Sequence, residues 1–203
     1  MDRRTYALRA LVALLALTTP VKICLGARVH PHGKTNTEFI RSRCEATTYP
    51  RLCFQSLSSH ASAIQTSPMQ LAHTALSLTL TGAQSAAAMI GRLSTAHGVR
   101  PREVGAMRDC IENMGSSIDE LRESMAQMGH LKGPDVDLQL NNVQTWVSAA
   151  LTDEDTCMDG FAGKAMNGNV KSMVRGRIVN VARLTSNALA LINGLASLQS
   201  KSP

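Results

Sequence analysis

Aromatic side chains make up only 3% of this chain, and after the N-terminal segment they reduce to Phe39, Tyr49, Phe54, Trp146 and Phe161. Such scarcity argues against a lectin-like site, which stacks sugars on exposed rings. It also argues against nucleic-acid binding, because no basic cluster is interleaved with aromatics. Runs of β-branched residues that would read as strands are absent too. Metalloprotease, nucleophile-elbow and phosphate-loop motifs are all missing, and His60, His73, His97 and His130 are scattered. An enzyme is therefore not expected, nor a cofactor. There is no Asn-x-Ser/Thr sequence, so no N-linked glycan is expected. Ala, Leu, Met, Gln and Ser abound instead, which is an all-helical composition.

Cysteine is sparse and informative. Residues 1–27 read as a secretory signal, with Arg3, Arg4 and Arg9 as a basic start, Ala10 to Leu17 as an apolar run, and Gly26-Ala27 as a cleavage zone. The run is too short for a transmembrane helix and is broken by Thr18, Thr19, Pro20 and Lys22, so no membrane anchor is expected. Cys24 leaves with this segment. Cys44, Cys53, Cys110 and Cys157 remain, an even number in an oxidising compartment, which favours two disulfides. Half of the net charge of +6 leaves with the signal as well, since Arg3, Arg4, Arg9 and Lys22 stand there against Asp2.

Residues 28–36 are polar and unpatterned and read as a disordered lead. Their His30-x-His32 pair lacks a third metal ligand, so no metal site is expected. From residue 67 onward the pattern is strongly helical. Ser67-Pro68 opens a first long helix that Gly98 closes, with Leu71, Ala75, Leu78, Gly82, Ala86, Met89 and Leu93 as its inner stripe. Pro101 opens a second, running to Gly129–Pro134. Its Val104, Met107, Ile111, Met114, Ile118, Leu121, Met125 and Met128 alternate steps of three and four, which assigns these methionines to a core. Asp135 caps a third helix with Val136, Leu140, Val143, Val147 and Ala150 inside, ending near Gly163 in the stop signal Gly160–Lys164. A fourth starts at Asn169, with Val174, Val181, Ala188 and Leu195 at one heptad position and Leu184, Leu191 and Leu198 at another. Short connections make consecutive helices antiparallel, giving an up-down-up-down four-helix bundle over residues 67–199.

The distant cysteines fit that topology. Cys110 stands 21 residues before residue 131, and Cys157 stands 22 residues after Asp135. Equal distances from one turn put both at one height on antiparallel neighbours, where a bridge closes and stabilises by roughly 4 kcal/mol on the chain-entropy model. Pro50 cannot lie inside a helix, so residues 37–66 are expected to form a helical hairpin, with the Cys44–Cys53 span clipped across its turn. Residues 37–203 then make one domain, in which the hairpin is an N-terminal extension beside the bundle.

Four separated stretches resemble the plant invertase and pectin methylesterase inhibitor family. Cys44 to Leu57 (CEATTYPRLCFQSL) is similar to its first-disulfide signature, Asp109 to Asn113 (DCIEN) to its third-cysteine motif, and Trp146 to Phe161 (WVSAALTDEDTCMDGF) to its fourth. Val174 to Asn193 resembles its last helix, and the likeness spans residues 37–199. The resemblance implies a clipped hairpin on a four-helix bundle. It further implies a secreted, apoplastic protein that binds an enzyme of the plant cell wall without covalent bonds. Family invertase inhibitors carry a Pro-Lys-Phe type motif, and no Pro-Lys pair occurs here, which favours the pectin methylesterase branch. The family also occurs as a pro-region fused to an esterase, whereas this chain stops at Pro203 and is expected to stand alone.

By the same resemblance, the threonine before the fourth cysteine, Thr156, reaches the esterase cleft, and Asp119 and Asp159 face the enzyme. Met114 stands where the family often has tyrosine. Charge supports an acidic face. The third helix has six acids (Asp135, Asp137, Asp153, Glu154, Asp155 and Asp159) and no Lys or Arg, while the fourth has Lys171, Arg175, Arg177 and Arg183 and no acid. Pairing along the bundle explains part of this. Yet Asp153, Glu154, Asp155 and Asp159 crowd the helix C-terminus, where the dipole disfavours them. An acidic face around Thr156, with Asp153 and Asp155, poised for a basic esterase, accounts for that placement. The alternatives are an inhibitor of cell-wall or vacuolar invertase, and a secreted helical signalling or scaffold protein with no enzyme target.

Overall fold

A computed structural model describes residues 31–162 and 168–200. The expected signal, Cys24 and the Gly163–Lys164 end of the stop signal lie outside them.

Helix α1 (Pro31–Cys44) and helix α2 (Pro50–Leu57) form the hairpin, followed by a single 3-10 turn (Ser58–His60) and a one-turn helix α3 (Ala61–Ile64). Four long helices follow: α4 (Pro68–Ser94), α5 (Pro101–Met128), α6 (Val136–Asp159) and α7 (Asn169–Gln199). Residues 31–36 depart from the expected disordered lead. They are the opening turns of α1, a start that Pro31 suits because its fixed φ matches a first helical position.

Helix starts follow local chemistry. The Ser67 hydroxyl accepts from the Gln70 backbone N–H at 3.2 Å ahead of Pro68, an N-cap with proline at the first position. At α5 the Glu103 carboxylate reaches back to the Arg100 backbone N–H (3.1 Å) and guanidinium (2.8 Å). Asp135 occupies the N-cap position of α6 but makes no capping bond. The Gln139 side chain instead ties the preceding turn to the helix, accepting from the Lys132 backbone N–H at 3.2 Å. Gly133, at φ +80°, supplies the left-handed step that this turn needs. Helices α4 and α6 stop a little before their expected ends, at Ser94 and Asp159 rather than near residues 98 and 163, while α5 ends at Met128 with Gly129 as its C-cap, at the start of the expected Gly129–Pro134 stop.

Each of α4 and α6 packs on both α5 and α7, so the long helices follow one another around a square. The hairpin and α3 lie against α4 and α7, on the side away from the α5–α6 pair. The two bridges are Cys44–Cys53 (Cα atoms 5.5 Å apart) and Cys110–Cys157 (4.4 Å apart). Most of the expected stripes of α5 and α6 is inside: Met107, Met114, Ile118, Leu121 and Met128 on one, Leu140, Val143, Val147 and Ala150 on the other, while Val104, Ile111, Met125 and Val136 are half-buried. On α4 the stripe is rotated. Leu76, Thr79, Ala83 and Ile90 are deepest, and Leu78, Met89 and Leu93 only flank the core. That helix buries small residues between two neighbours, so its inner face is wider than a single stripe. On α7, Leu198 is 40% exposed, because it lies in the final turn beyond the last buried residue, Leu195.

Candidate functional site

The outer face of α6 is a row of small polar side chains. Thr145, Ser148, Thr152 and Thr156 are exposed, and each hydroxyl donates to the carbonyl four residues back, over 2.7 to 3.1 Å. Helical spacing places Thr152, Asp155, Thr156 and Asp159 on one side. Asp155 and Asp159 are exposed and make no ion pair, so the row ends in two uncompensated carboxylates at the C-terminus of α6.

The end of that helix is nonetheless provided for. The Arg175 guanidinium of α7 donates to the Met158 carbonyl at 3.1 Å, and the Lys171 ammonium reaches the Ala162 carbonyl at 3.5 Å. Both cations sit where the dipole favours positive charge. The charges of α6 and α7 therefore meet through backbone carbonyls. Among the described residues the only ion pairs are Arg100–Glu103 and Arg122–Asp119, each within one turn of α5 or its start.

The structure divides the acids assigned from sequence. Asp155, Thr156 and Asp159 share the outer face. Asp119 is exposed on α5 and is held by Arg122 at 2.7 Å. Asp153 turns toward α5 and is partly buried, and this burial raises its pKa. Its neighbour Glu120 has its carboxyl pushed up to about 7, first by burial and then by the Asp153 charge.

Glu154 leaves the surface altogether. It is 0% exposed, and its Oε1 accepts from Ser117 of α5 (3.0 Å) and Thr185 of α7 (2.9 Å). Burial lifts this carboxyl to about 7, against the opposing pull of the two hydroxyls. Sequence reasoning counted Glu154 among the crowded terminal acids. The signal for its true place was there, because Val143, Val147, Ala150, residue 154 and Cys157 continue one four-three alternation. Met114 is likewise fully buried, so that position contributes packing rather than a surface contact.

Sequence reasoning also missed a second locality, at the hairpin turn. The Asn187 side chain of α7 holds both polar groups of the Tyr49 backbone: its Oδ1 accepts from the N–H at 2.9 Å, and its amide donates to the carbonyl at 3.0 Å. Beside this latch Arg183 lies over the Tyr49 ring at 5.3 Å, and Arg41 over the Phe54 ring at 4.1 Å. Nothing in a linear reading joins residue 49 to residue 187.

Among the described residues no three of His, Cys, Asp or Glu converge in a metal-binding group, and no helix is long and apolar enough to cross a membrane.

Comparison with known proteins places these features in context. The profile of the plant invertase/pectin methylesterase inhibitor family matches residues 38–191. A protein of Daucus carota described as a 21 kDa protein is 49% identical over 79% of this chain and 84% of its own length. Pectinesterase inhibitor 11 of Arabidopsis thaliana is 48% identical over 80% of this chain and 83% of its own length. Among solved structures, a mutant form of a pectin methylesterase inhibitor from Arabidopsis superposes with a TM-score of 0.61 at 25% identity. That superposition covers 74% of this chain and 92% of the other.

Proposed function

The chain belongs to the plant invertase/pectin methylesterase inhibitor family, and on that premise we propose that it is a secreted inhibitor of pectin methylesterase. It binds the enzyme reversibly, covers the active-site cleft and so keeps pectin methyl-esterified in the cell wall. One observation carries the reading: the hydroxyls along the outer face of α6 are bonded to their own helix, and the face ends in unpaired acids at Asp155 and Asp159. A narrow polar ridge of this kind enters a cleft, with Thr156 foremost. Its terminal carboxylates steer it toward a basic surface, which points to a basic esterase isoform. Asp119 on α5 extends the acidic side, although Arg122 neutralises part of it. Asp153 and Glu154 support the face from behind rather than touching the partner.

No group on this face attacks a partner covalently, since the four described cysteines are all bridged. Inhibition is therefore stoichiometric and relieved by dilution. The missing Pro-Lys motif disfavours invertase as the target.

Purified protein is mixed separately with a pectin methylesterase and with an invertase, and both activities are followed. Loss of esterase activity alone is expected. Loss of invertase activity alone, or an adduct surviving denaturing electrophoresis, overturns the reading. Thr156→Trp, which lengthens the tip of the ridge, should speed dissociation from the esterase. Unchanged dissociation would move the contact off α6.

A further inference from the structure

One hollow among the described residues lies away from α6. It is a cleft of about 560 Å³ between the hairpin turn and α7, lined by Thr48, Tyr49, Arg51, Gln55, Asn180 and Arg183 among others. No acid lines it. Arg51 on α2 and Arg183 on α7 are both exposed and neither makes an ion pair, so two guanidinium groups on separate elements look into one space uncompensated. A smaller hollow of about 220 Å³ shares Pro50, Arg51 and Gln55 with it and adds Arg41, Phe54 and the single acid Glu45.

The walls are held in place. Cys44–Cys53 clips the turn, Asn187 fixes the Tyr49 backbone from both sides, and the Ser186 hydroxyl donates to that of Thr48 at 3.2 Å. Arg41 and Arg183 are further ordered by stacking on Phe54 and Tyr49. The chain's few aromatics are thus concentrated, with Phe39, Tyr49 and Phe54 all on the hairpin and an arginine over each.

We propose that this cleft binds a carboxylated sugar chain, an oligogalacturonate. Guanidinium groups pair with carboxylates in a bidentate fork, which a methyl ester cannot accept with the same charge. The same lining holds a hydroxyl and two amides, from Thr48, Gln55 and Asn180, suited to sugar hydroxyls. The cleft's size is that of a small-ligand site, and it shares Pro50, Arg51 and Gln55 with the second hollow, which suits a segment of linear chain more than a compact ion. A uronate chain carries one carboxylate per sugar with hydroxyls between, matching a lining that holds both guanidinium and neutral polar groups. The choice of galacturonate among uronates rests on the proposed function, which sets the protein beside pectin that is losing its esters.

The test titrates the purified protein calorimetrically with a de-esterified oligogalacturonide, the same oligomer fully methyl-esterified, and polyglutamate. The de-esterified sugar should bind, the other two at least about tenfold more weakly, and the double variant Arg51→Gln/Arg183→Gln should bind the sugar about tenfold or more weakly. Arg51→Lys/Arg183→Lys, which keeps charge without the fork, should fall between. Circular dichroism checks that both variants fold. Equal binding of polyglutamate overturns the proposal in favour of an acidic peptide. Absent sugar binding, or binding that the Gln variant leaves unchanged, also overturns it. Esterase inhibition is measured in parallel. Inhibition without sugar binding sinks the cleft and leaves the proposed function standing, while sugar binding without inhibition does the reverse.

Discussion

The outer face of α6 and the hairpin cleft carry opposite charge and are made in opposite ways. The α6 face comes from one helix, with short side chains tied to their own backbone and carboxylates left open at one end. The cleft comes from two segments distant in sequence, the hairpin turn with α2 and a stretch of α7, with long arginines stacked on rings and a turn fixed by a bridge and by Asn187. A charge can be held ready by giving it no partner, or by giving it a rigid support of another kind. The first face depends only on α6 being helical. The second depends on the hairpin remaining docked.

The two bridges separate these dependences most strongly. Replacing Cys110 and Cys157 with serine should lower whole-chain stability by about 4 kcal/mol on the chain-entropy model, and the Cys44–Cys53 bridge should be worth about 3 kcal/mol for its shorter loop. Hydrogen exchange reads where each loss falls. Without Cys44–Cys53 the hairpin amides should exchange faster while those of α6 hold. If α6 loosens equally, the two regions are one cooperative unit and the contrast fails.

Asn187→Ala removes two hydrogen bonds to the Tyr49 backbone and leaves those groups partly buried. It should cost about 2 kcal/mol in denaturant unfolding. Esterase inhibition should persist, since α6 is not involved. Lost inhibition would show that the hairpin positions the acidic face as well.

Glu154→Gln tests what lies behind α6. The carboxyl is raised to about 7 in the fold from an ordinary 4.5, so the folded protein holds a proton that the unfolded chain has already released. Stability is then greatest below pH 4.5 and is lost as pH rises toward 7. Glutamine keeps acceptors for Ser117 and Thr185 without the charge. It should stabilise by on the order of 2 kcal/mol above pH 7 and by almost nothing at pH 4. A thermal midpoint with the same pH dependence in both proteins would place the buried charge elsewhere.

Much of this was legible beforehand, for local reasons. The long helices, their antiparallel order and both bridges follow from periodicity and from proline and cysteine positions, all of which act within a few turns. Asp155, Thr156 and Asp159 could be placed on one face because a single helix fixes their spacing. Glu154 was misassigned because charge outweighed its position in the four-three alternation. The hairpin cleft could not be read at all, since Tyr49 meets Asn187 only after the hairpin docks on α7.

Asp159→Lys is the gentlest probe. It should slow association with a basic esterase by about tenfold or less, with the difference shrinking as salt rises, and leave dissociation nearly unchanged. The thermal midpoint should hardly move, because exposed substitutions usually cost less than about 0.5 kcal/mol. An effect insensitive to salt would mean that Asp159 makes a direct, desolvated contact.

The ladder of hydroxyls along α6 bears on the heat of binding. Flexible surface side chains lose rotamer freedom when a partner covers them, at about 0.5–1.5 kcal/mol for each one stilled. Thr145, Ser148, Thr152 and Thr156 have little such freedom left, because each hydroxyl is already tethered to the turn before it. The side chains of this row are small and polar, so the heat-capacity change on covering them should be small. The face should therefore need little reordering when a partner covers it.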